Sequence, residues 1–364
     1  MQHGLAAPAD PIRMTRRQSL RLPLAAGLAS LLIRSESRAA DIAAASVPPP
    51  FPDRPEIIVA GAEDGPLSPY ARAIAAGLNR RLPITQFVHL RPSGGSDGVT
   101  AANQFEANVL PDGHSTLMVS GSAAMAWLRG DPRAQYDVGH WLPVLTSLVS
   151  GVVLAGPPSH LRNDTLLAVE GDATMVLPAV LGLDLIGVPR IRIVQVDDAA
   201  AALQRQEVDV AFLRGERTAE RMEQAVSAGG VPLFSLGNLD GANQLQRDPF
   251  LPRVPTLPEL LASRSDRTAA PPLLAAWCAA AAAARLEMAL LLPWLTPAGT
   301  VAWWRDACGG IVLPTQPGAS DPEHAATGNR VVRTDPTANF GVSALVIDSA
   351  TSLALHRWMI DQPA

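Results

Sequence analysis

The sequence predicts an α/β fold whose sheets are mostly parallel. Short apolar segments of strand character alternate along the chain with segments of helical periodicity. Loops rich in glycine, serine or proline separate strand from helix three times between residues 56 and 128. A second series of strands and helices follows between residues 165 and 228. Alternation of this kind is typical of parallel sheets flanked by helices.

The first series contains three units of strand, loop and helix. Each strand is a short apolar run, and each helix follows a loop with glycine, serine or proline. The predicted strands are 56–60, 84–90 and 115–120, and the predicted helices are 70–82, 99–110 and 121–128. In such sheets ligands bind at the carboxyl ends of the strands, where loop amides and helix N-termini point outward.

The middle and the end of the chain continue the alternation less regularly. The apolar run 141–158 is predicted as two strands. Later elements follow the same strand and helix patterns. They are a strand, loop and helix in 166–183, a strand, helix and strand in 191–213, a helix at 216–228, a strand near 231–237, a loop at 309–330 and a helix within 343–359.

Residues 273–292 form an apolar stretch with the length of a membrane span. Arg285 and Glu287 interrupt the stretch, and Pro293 ends it. Alanine, its main constituent, is the best helix former but inserts weakly into membranes. We therefore predict a buried, alanine-rich helix at 272–287 that runs into a short apolar segment.

The amino-terminal segment has the pattern of an export signal. Arg16 and Arg17 lie in the sequence TRRQSLR, which resembles the twin-arginine pattern. The apolar run 22–33 behind them is twelve residues long. A membrane-spanning helix needs roughly 20 apolar residues, so this run fits the apolar region of a signal peptide instead.

Small residues at 37–40 resemble a cleavage site. We predict that residues 1–39 are a cleaved export signal, that 40–53 are a proline-rich lead-in, and that the mature protein is periplasmic. All 29 basic residues are arginine, so an arginine pair is weak evidence by itself. Ordinary secretory export and a buried amino-terminal helix therefore stay open as alternatives, and either Met1 or Met14 is the start.

The composition excludes several classes of function. The net charge is −5, and no basic patch is interleaved with aromatic residues, so nucleic acid is not an expected partner. The sequence has neither a C-x-x-C nor an H-E-x-x-H motif, and we predict no metal site and no cofactor. The two cysteines, Cys278 and Cys308, either pair in an oxidising periplasm or remain as two buried thiols.

Six motifs between residues 54 and 307 resemble, in order, those of one known family. They are RPSGGSDG, LPDGHSTLMV, YDVGHWLPVLTSLVSGVVLAGPPS, QEVDVAF, FLPRVPTLPEL and LTPAGT. No single motif is specific, but six of them in the family's order are fairly strong evidence. The chain resembles the Bug-type periplasmic solute-binding receptors of the tripartite tricarboxylate transporter system.

The resemblance implies an architecture and a function. The fold would be a two-domain clamp of the periplasmic-binding-protein type (type II-like), with a mostly parallel sheet in each domain. Domain 1 would comprise residues 54–147 plus 237–364, and domain 2 residues 148–236. The protein would be a monomeric receptor, not an enzyme, that captures a small organic acid between the domains. It would pass this ligand to membrane permease subunits or to a sensor.

The candidate site consists of glycine and serine loops at helix N-termini. Such loops offer backbone N–H groups and the positive end of a helix dipole to an anion. The candidate ligand-binding residues are Gly65, Ser68, Ser93, Gly94, Gly95, Ser96, Asp97, Ser120, Ser122, Thr174, Asp197 and Arg214. The alternative is that the loops only cap helices, for which Ser68 and Asp97 are suitable residues.

The sequence departs from the family pattern in three places. Ser68 stands where the family has an aspartate, and Arg214 stands where it has no positive charge. Val196 and Asp197 stand where the family has a Tyr–Lys pair, and a second aspartate, Asp198, follows. These aspartates either cap the next helix or face the cleft, where they would favour a cation over a second carboxylate.

Two other functions remain as alternatives. Gly94 to Gly98 match the G-x-S-x-G motif, which would make Ser96 the nucleophile of a secreted serine hydrolase. Only about 55 mature residues precede Ser96, and no HGG-type segment is among them, which leaves little room for an upstream oxyanion loop. The other alternative is a degenerate receptor that binds only a protein partner.

Overall fold

The computed structural model contains one large mixed sheet and a separate pair of short strands. All described residues belong to one of the two units into which the chain divides, Pro48–Ala364. The predicted export signal 1–39 and the lead-in 40–53 lie outside the described residues. The structure describes residues 54–157, 164–188, 190–240, 244–264, 269–314, 330–334 and 336–361.

The strands are short except for the fourth. They are β1 (Glu56–Ala60), β2 (His89–Ser93), β3 (Ser115–Val119), β4 (Leu142–Ala155), β5 (Thr165–Val169), β6 (Ile191–Gln195), β7 (Val210–Gly215), β8 (Val231–Ser235), β9 (Asn238–Leu239), β10 (Leu245–Gln246), β11 (Leu286–Leu292) and β12 (Arg330–Arg333).

The large sheet is parallel at its two ends and antiparallel in its centre. Its order is β2-β1-β3-β11-β4-β7-β5-β6, with β8 and β12 also paired to β4. β1 runs parallel to β2 and β3, and β5 runs parallel to β6 and β7. β11 and β4 run antiparallel to each other and to their other neighbours in this order. The predicted α/β class is confirmed, and its parallel strands form one group at each end of the sheet.

Ten helices of the described residues surround these strands. They are α1 (Ser68–Asn79), α2 (Val99–Asn108), α3 (Gly121–Leu128), α4 (Leu177–Leu185), α5 (Ala199–Gln204), α6 (Thr218–Ser227), α7 (Leu257–Ala262), α8 (Pro271–Arg285), α9 (Ala298–Cys308) and α10 (Ser349–Asp361). A 3₁₀ helix, Ala173–Val176, precedes α4.

β4 joins the two parallel groups. Its first half pairs with β11 and its second half with β7, so that one strand of 14 residues belongs to both halves of the sheet. All but its first residue are buried. Burial on both faces explains why this segment shows no alternation of polar and apolar residues. The prediction of two strands within 141–158 was wrong, because a segment without this alternation does not indicate where one strand ends.

The alanine-rich helix α8 lies in the core and leads directly into the central strand β11. Ala276, Ala280 and Ala283 have no exposed surface. A β-carbon at Gly121 would lie 1.8 Å from the carbonyl oxygen of Ala283, so only glycine permits this approach of α3 to α8. The contact fixes the amino-terminal end of α3, which is part of the site described below.

The apolar stretch 273–292 is therefore helix as far as Arg285 and strand from Leu286 to Leu292. Within the described residues no single helix is long and apolar enough to cross a membrane. One bent pair, Thr337–Leu345 with Ser349–Asp361, meets the requirement by length and composition alone.

Other boundaries differ from the sequence prediction. The strand expected at 84–90 lies at His89–Ser93, while residues 84–85 form a turn and residues 86–88 are irregular. β12 was not predicted, because it lies at the end of a stretch that reads as loop. Residues 315–329 of that predicted loop, 309–330, lie outside the described residues.

Candidate functional site

A cleft of about 830 Å³ opens at the carboxyl ends of the parallel strands. Ala60 of β1, Ser120 after β3, Gly171 after β5 and Arg214 of β7 all line it. Both parallel groups thus contribute to one cavity. This is the place where α/β sheets bind ligands, because strand ends and helix N-termini converge there.

The loop after β2 contributes Ser96 and Asp97 to the cleft. Gly94 and Gly98 have φ angles of 74° and 76°, a conformation that glycine adopts without steric cost. Ser96 is exposed, and the amides of Ser96 and Asp97 donate no hydrogen bond within the described part of the chain. Two unsatisfied N–H groups at a cleft are suitable partners for an anion.

Two other predicted residues, Ser68 and Gly65, have structural roles in the loop after β1. Ser68 is 5% exposed, and its hydroxyl donates to the carbonyls of Ala62 and Glu63. Gly65 donates its N–H to Ala62 at 3.0 Å. These bonds fold the loop that brings Pro66 and Leu67 to the cleft.

Ser93, another predicted residue, is not among the residues that line the cleft. Its hydroxyl donates to the side chain of Gln104 at 2.6 Å. Gly94 and Gly95 shape the same loop but are not among the lining residues.

The amino-terminal end of α3 carries two serines to the cleft. Ser120 is the N-cap, and its hydroxyl accepts the N–H of Ser122 at 3.4 Å. The hydroxyl of Ser122 donates to Oδ2 of Asp172 at 2.9 Å. This bond connects α3, in the first half of the chain, with the loop after β5.

Asp172 is held by Thr174 as well as by Ser122. Its Oδ1 accepts the N–H of Thr174 at 2.9 Å and the Thr174 hydroxyl at 2.7 Å. Burial opposes ionisation of the carboxyl, but the hydrogen bonds from Thr174 and Ser122, with a smaller contribution from the charge of Arg214, outweigh it and lower the pKa of Asp172. The cleft therefore contains a carboxylate that is fixed in orientation and ionised at neutral pH.

Arg214 lies in the cleft wall but is engaged by the protein itself. Its Nη2 lies 3.1 Å from Oε2 of Glu287, and its Nε donates to the carbonyl of Ala284. Glu287 also lines the cleft. The bridge connects β7 with β11, and it satisfies much of the hydrogen-bonding capacity of the guanidinium.

A second group of charges combines two residues that follow α3 with Asp97 of the loop after β2. Arg133 lies 2.9 Å from Asp97 and 2.7 Å from Asp131, and all three line the cleft. The hydrogen bond from Arg133 lowers the pKa of Asp131. Arg129, the residue at the end of α3, also lines the cleft and forms no ion pair with a described residue.

The paired aspartates after β6 do not reach this cavity. Asp198 caps α5, because its Oδ1 accepts the N–H of Ala201 at 3.0 Å, and it also lies 2.9 Å from Arg221. Asp197 is exposed and is not among the lining residues.

Six predicted residues line the cleft and six do not. The lining residues are Ser96, Asp97, Ser120, Ser122, Thr174 and Arg214. The others are Gly65, Ser68, Ser93, Gly94, Gly95 and Asp197.

Sequence reasoning missed Arg129, Asp131, Arg133, Asp172 and Glu287. Asp172 has a signal in the sequence, since it follows a predicted strand just as Thr174 does. Glu287 has none, because it lies within an apolar run.

Ser96 lacks the surroundings of a catalytic serine. A nucleophile elbow holds its serine on a strained strand-to-helix turn, but among the described residues the positive φ angles of this loop belong to Gly94 and Gly98. No histidine of the described chain lines the cleft.

No cluster of His, Cys, Asp and Glu in the described ranges could hold a metal ion.

Comparisons with known proteins define the fold. No protein-family model and no curated protein matches the sequence. The structure is similar to a TctC solute-binding protein from Polaromonas, with a TM-score of 0.57 and 16% identity over 86% of this chain and 100% of that one. The chain therefore has the fold of the TctC solute-binding proteins, which confirms the resemblance seen in the sequence at the level of the fold.

Two further solved structures share lower similarity. The periplasmic binding protein BugD matches with a TM-score of 0.45 and 16% identity over 86% of this chain and 98% of that one. MatC from Rhodopseudomonas palustris, with bound malate, matches with a TM-score of 0.46 and 20% identity over 85% of this chain and 98% of that one. The fold assignment depends on the TctC structure alone.

Proposed function

We propose that this protein is a periplasmic solute-binding receptor of the Bug type that captures a small organic acid in the cleft. It binds its ligand without chemical change and presents it to the membrane permease of a tripartite tricarboxylate-type transporter, or to a sensor. The observation that carries the proposal is the position of the cleft, at the carboxyl ends of both parallel strand groups.

The lining supports a carboxylate ligand. The free amides of Ser96 and Asp97 supply two donors that need no side chain. Ser120 and the helix α3 behind it supply the positive end of a helix dipole. Charge-assisted hydrogen bonds of this kind are about twice as strong as neutral ones, which offsets the cost of removing a carboxylate from water.

A thermal-shift screen tests the proposal. The protein is unfolded, dialysed and refolded to remove any bound ligand, and is then mixed with carboxylates, amino acids and amines. We expect at least one compound with a carboxylate to raise the melting temperature, because a ligand that binds only the folded state stabilises it. A screen in which no carboxylate does so would favour the degenerate receptor.

Two variants at one position locate the ligand. Ser96→Ala keeps the amide and should weaken binding by only about 1 kcal/mol, whereas Ser96→Asp places a negative charge beside the bound carboxylate and should abolish binding. Ser349→Asp, at the exposed start of α10, adds the same charge away from the cleft and serves as the control. If a fluorophosphonate probe labels Ser96, the protein is a serine hydrolase and the proposal is wrong.

A further inference from the structure

The charges that line the cleft are nearly all neutralised by one another. Four carboxylates and three guanidinium groups line it. Arg133 is paired with Asp97 and Asp131, and Arg214 is paired with Glu287. Among the described residues, the two lining charges that form no ion pair are those of Arg129 and Asp172. Arg129 acts on Asp131, and Arg214 on Asp172, only through longer-range electrostatics.

Asp172 keeps a full negative charge toward the cleft. Its three hydrogen-bond donors come from Ser122 and Thr174, which are uncharged. They orient the carboxylate without neutralising it. A carboxylate oxygen can accept more than one hydrogen bond, so Asp172 can accept a further donor from a ligand.

Arg129 presents the opposite charge. It follows the last turn of α3, and its backbone N–H bonds to the carbonyls of Met125 and Trp127. Its guanidinium has a planar set of donors that fits a carboxylate. The cleft thus has one available cation on the side of α3 and one available anion on the loop after β5.

A ligand with two carboxylates would be poorly matched to this arrangement. The lining already carries one negative charge in excess, and a second carboxylate would face Asp172. Like charges brought together are repelled, and this repulsion is a means of specificity.

We propose that the cleft selects a zwitterionic amino acid, with the ligand ammonium group on Asp172 and its carboxylate on Arg129 and the free amides of Ser96 and Asp97. This inference rests on the proposed function, and it makes Asp172 the residue that determines specificity. The selective role that the sequence suggested for Asp197 thus belongs to Asp172.

Matched pairs of compounds test the inference. The pairs are L-aspartate with succinate, L-glutamate with glutarate, L-alanine with propionate, and 4-aminobutyrate with butyrate. The two members of a pair differ by one ammonium group. We expect isothermal titration calorimetry on ligand-free protein to show at least tenfold tighter binding of the amino compound in at least one pair.

Variants separate the two ends of the ligand. Asp172→Asn removes the charge and keeps an acceptor oxygen for Thr174, while its amide N–H faces the Ser122 hydroxyl, which can rotate to accept it. The variant should abolish the preference within the pair. Arg129→Gln should weaken both members equally, and Asp197→Asn, outside the cleft, should change neither. The wild-type comparison decides the question even if Asp172→Asn fails to fold.

The outcomes distinguish the inference from the proposed function. If the compounds without an amine bind as tightly as their partners, or if the preference survives in Asp172→Asn, the inference is wrong and the receptor for organic acids stands. If no carboxylate of either kind binds, the proposed function fails as well.

Discussion

Arg214 of β7 and Glu287 of β11 form an ion pair of 3.1 Å in the wall of the cleft. Their side chains are 24% and 10% exposed, so the pair is partly shielded from water. Arg214 lies in the predicted domain 2, 148–236, and Glu287 in the predicted domain 1, 54–147 plus 237–364. If that layout holds, the pair is a bond between the domains. We therefore expect it to contribute to stability.

The first prediction concerns Arg214. Arg214→Ala removes the partner of Glu287 and a donor to the carbonyl of Ala284, and it should lower the free energy of unfolding by about 2 kcal/mol. Urea unfolding measures this. The control is Arg217→Ala, which breaks an exposed pair with Glu220 and should cost less than about 1 kcal/mol.

A different outcome would restore the sequence-based role of Arg214. If Arg214→Ala leaves stability unchanged but abolishes binding of every carboxylate, the guanidinium is a ligand group and its bond to Glu287 is incidental. Glu287→Gln would then leave stability unchanged too.

The second prediction concerns a buried arginine at the end of α8. Arg285 is 4% exposed, and its Nη2 lies 3.7 Å from Oδ2 of Asp248, which has no exposed surface. Burial lowers the pKa of Arg285 to about 10, although Asp248 opposes the shift. Arg285→Met should cost about 3–5 kcal/mol of unfolding free energy, because it leaves Asp248 buried without a counter-charge.

The neighbouring exposed pair provides the control for Arg285. Arg247 lies 3.0 Å from Glu259 at the surface, and Arg247→Met should cost less than about 1 kcal/mol. Equal losses for the two variants in chemical denaturation would contradict the burial of Arg285.

The third prediction concerns the two cysteines, which are both free in the structure. Burial raises the pKa of Cys278 to about 11 and that of Cys308 to about 12. Only the thiolate reacts with thiol reagents, and in the folded protein it forms only as the pH rises toward these values. At pH 8 the thiols of the native protein should react slowly with a thiol reagent. In the denatured protein, both thiols should react, which gives two equivalents of product per chain.

A reduced sample is the control for the thiol count. If the denatured protein shows two thiols only after reduction, then Cys278 and Cys308 form a disulfide, and the assignment of free thiols is wrong.

The fourth prediction concerns export and rests on sequence alone. Protein isolated from the periplasm should begin between residues 40 and 46. Replacing both Arg16 and Arg17 by lysine should block export if the twin-arginine route is used, and should leave it intact if the ordinary secretory route is used. A full-length chain found in the cytosolic fraction would contradict the export signal.

The sequence by itself determined the fold class and most of the elements around the site. Strands such as Glu56–Ala60 and helices such as Val99–Asn108 follow from local periodicity, which depends only on neighbouring residues. The rule that ligands bind at strand ends then led to Ser96, Ser120 and Thr174, which all line the cleft. The layout of the two domains and the export signal remain predictions.

The tertiary structure decided which polar groups face the cleft and which are already bound. Ser68 was predicted to bind a ligand, but its hydroxyl closes its own loop. Asp172 was missed, although the fold brings Ser122 to it across fifty positions of sequence. Hydrogen bonds and ion pairs between distant segments depend on how β4 and β11 join the two strand groups, and this pairing leaves no periodic signal in a segment buried on both faces.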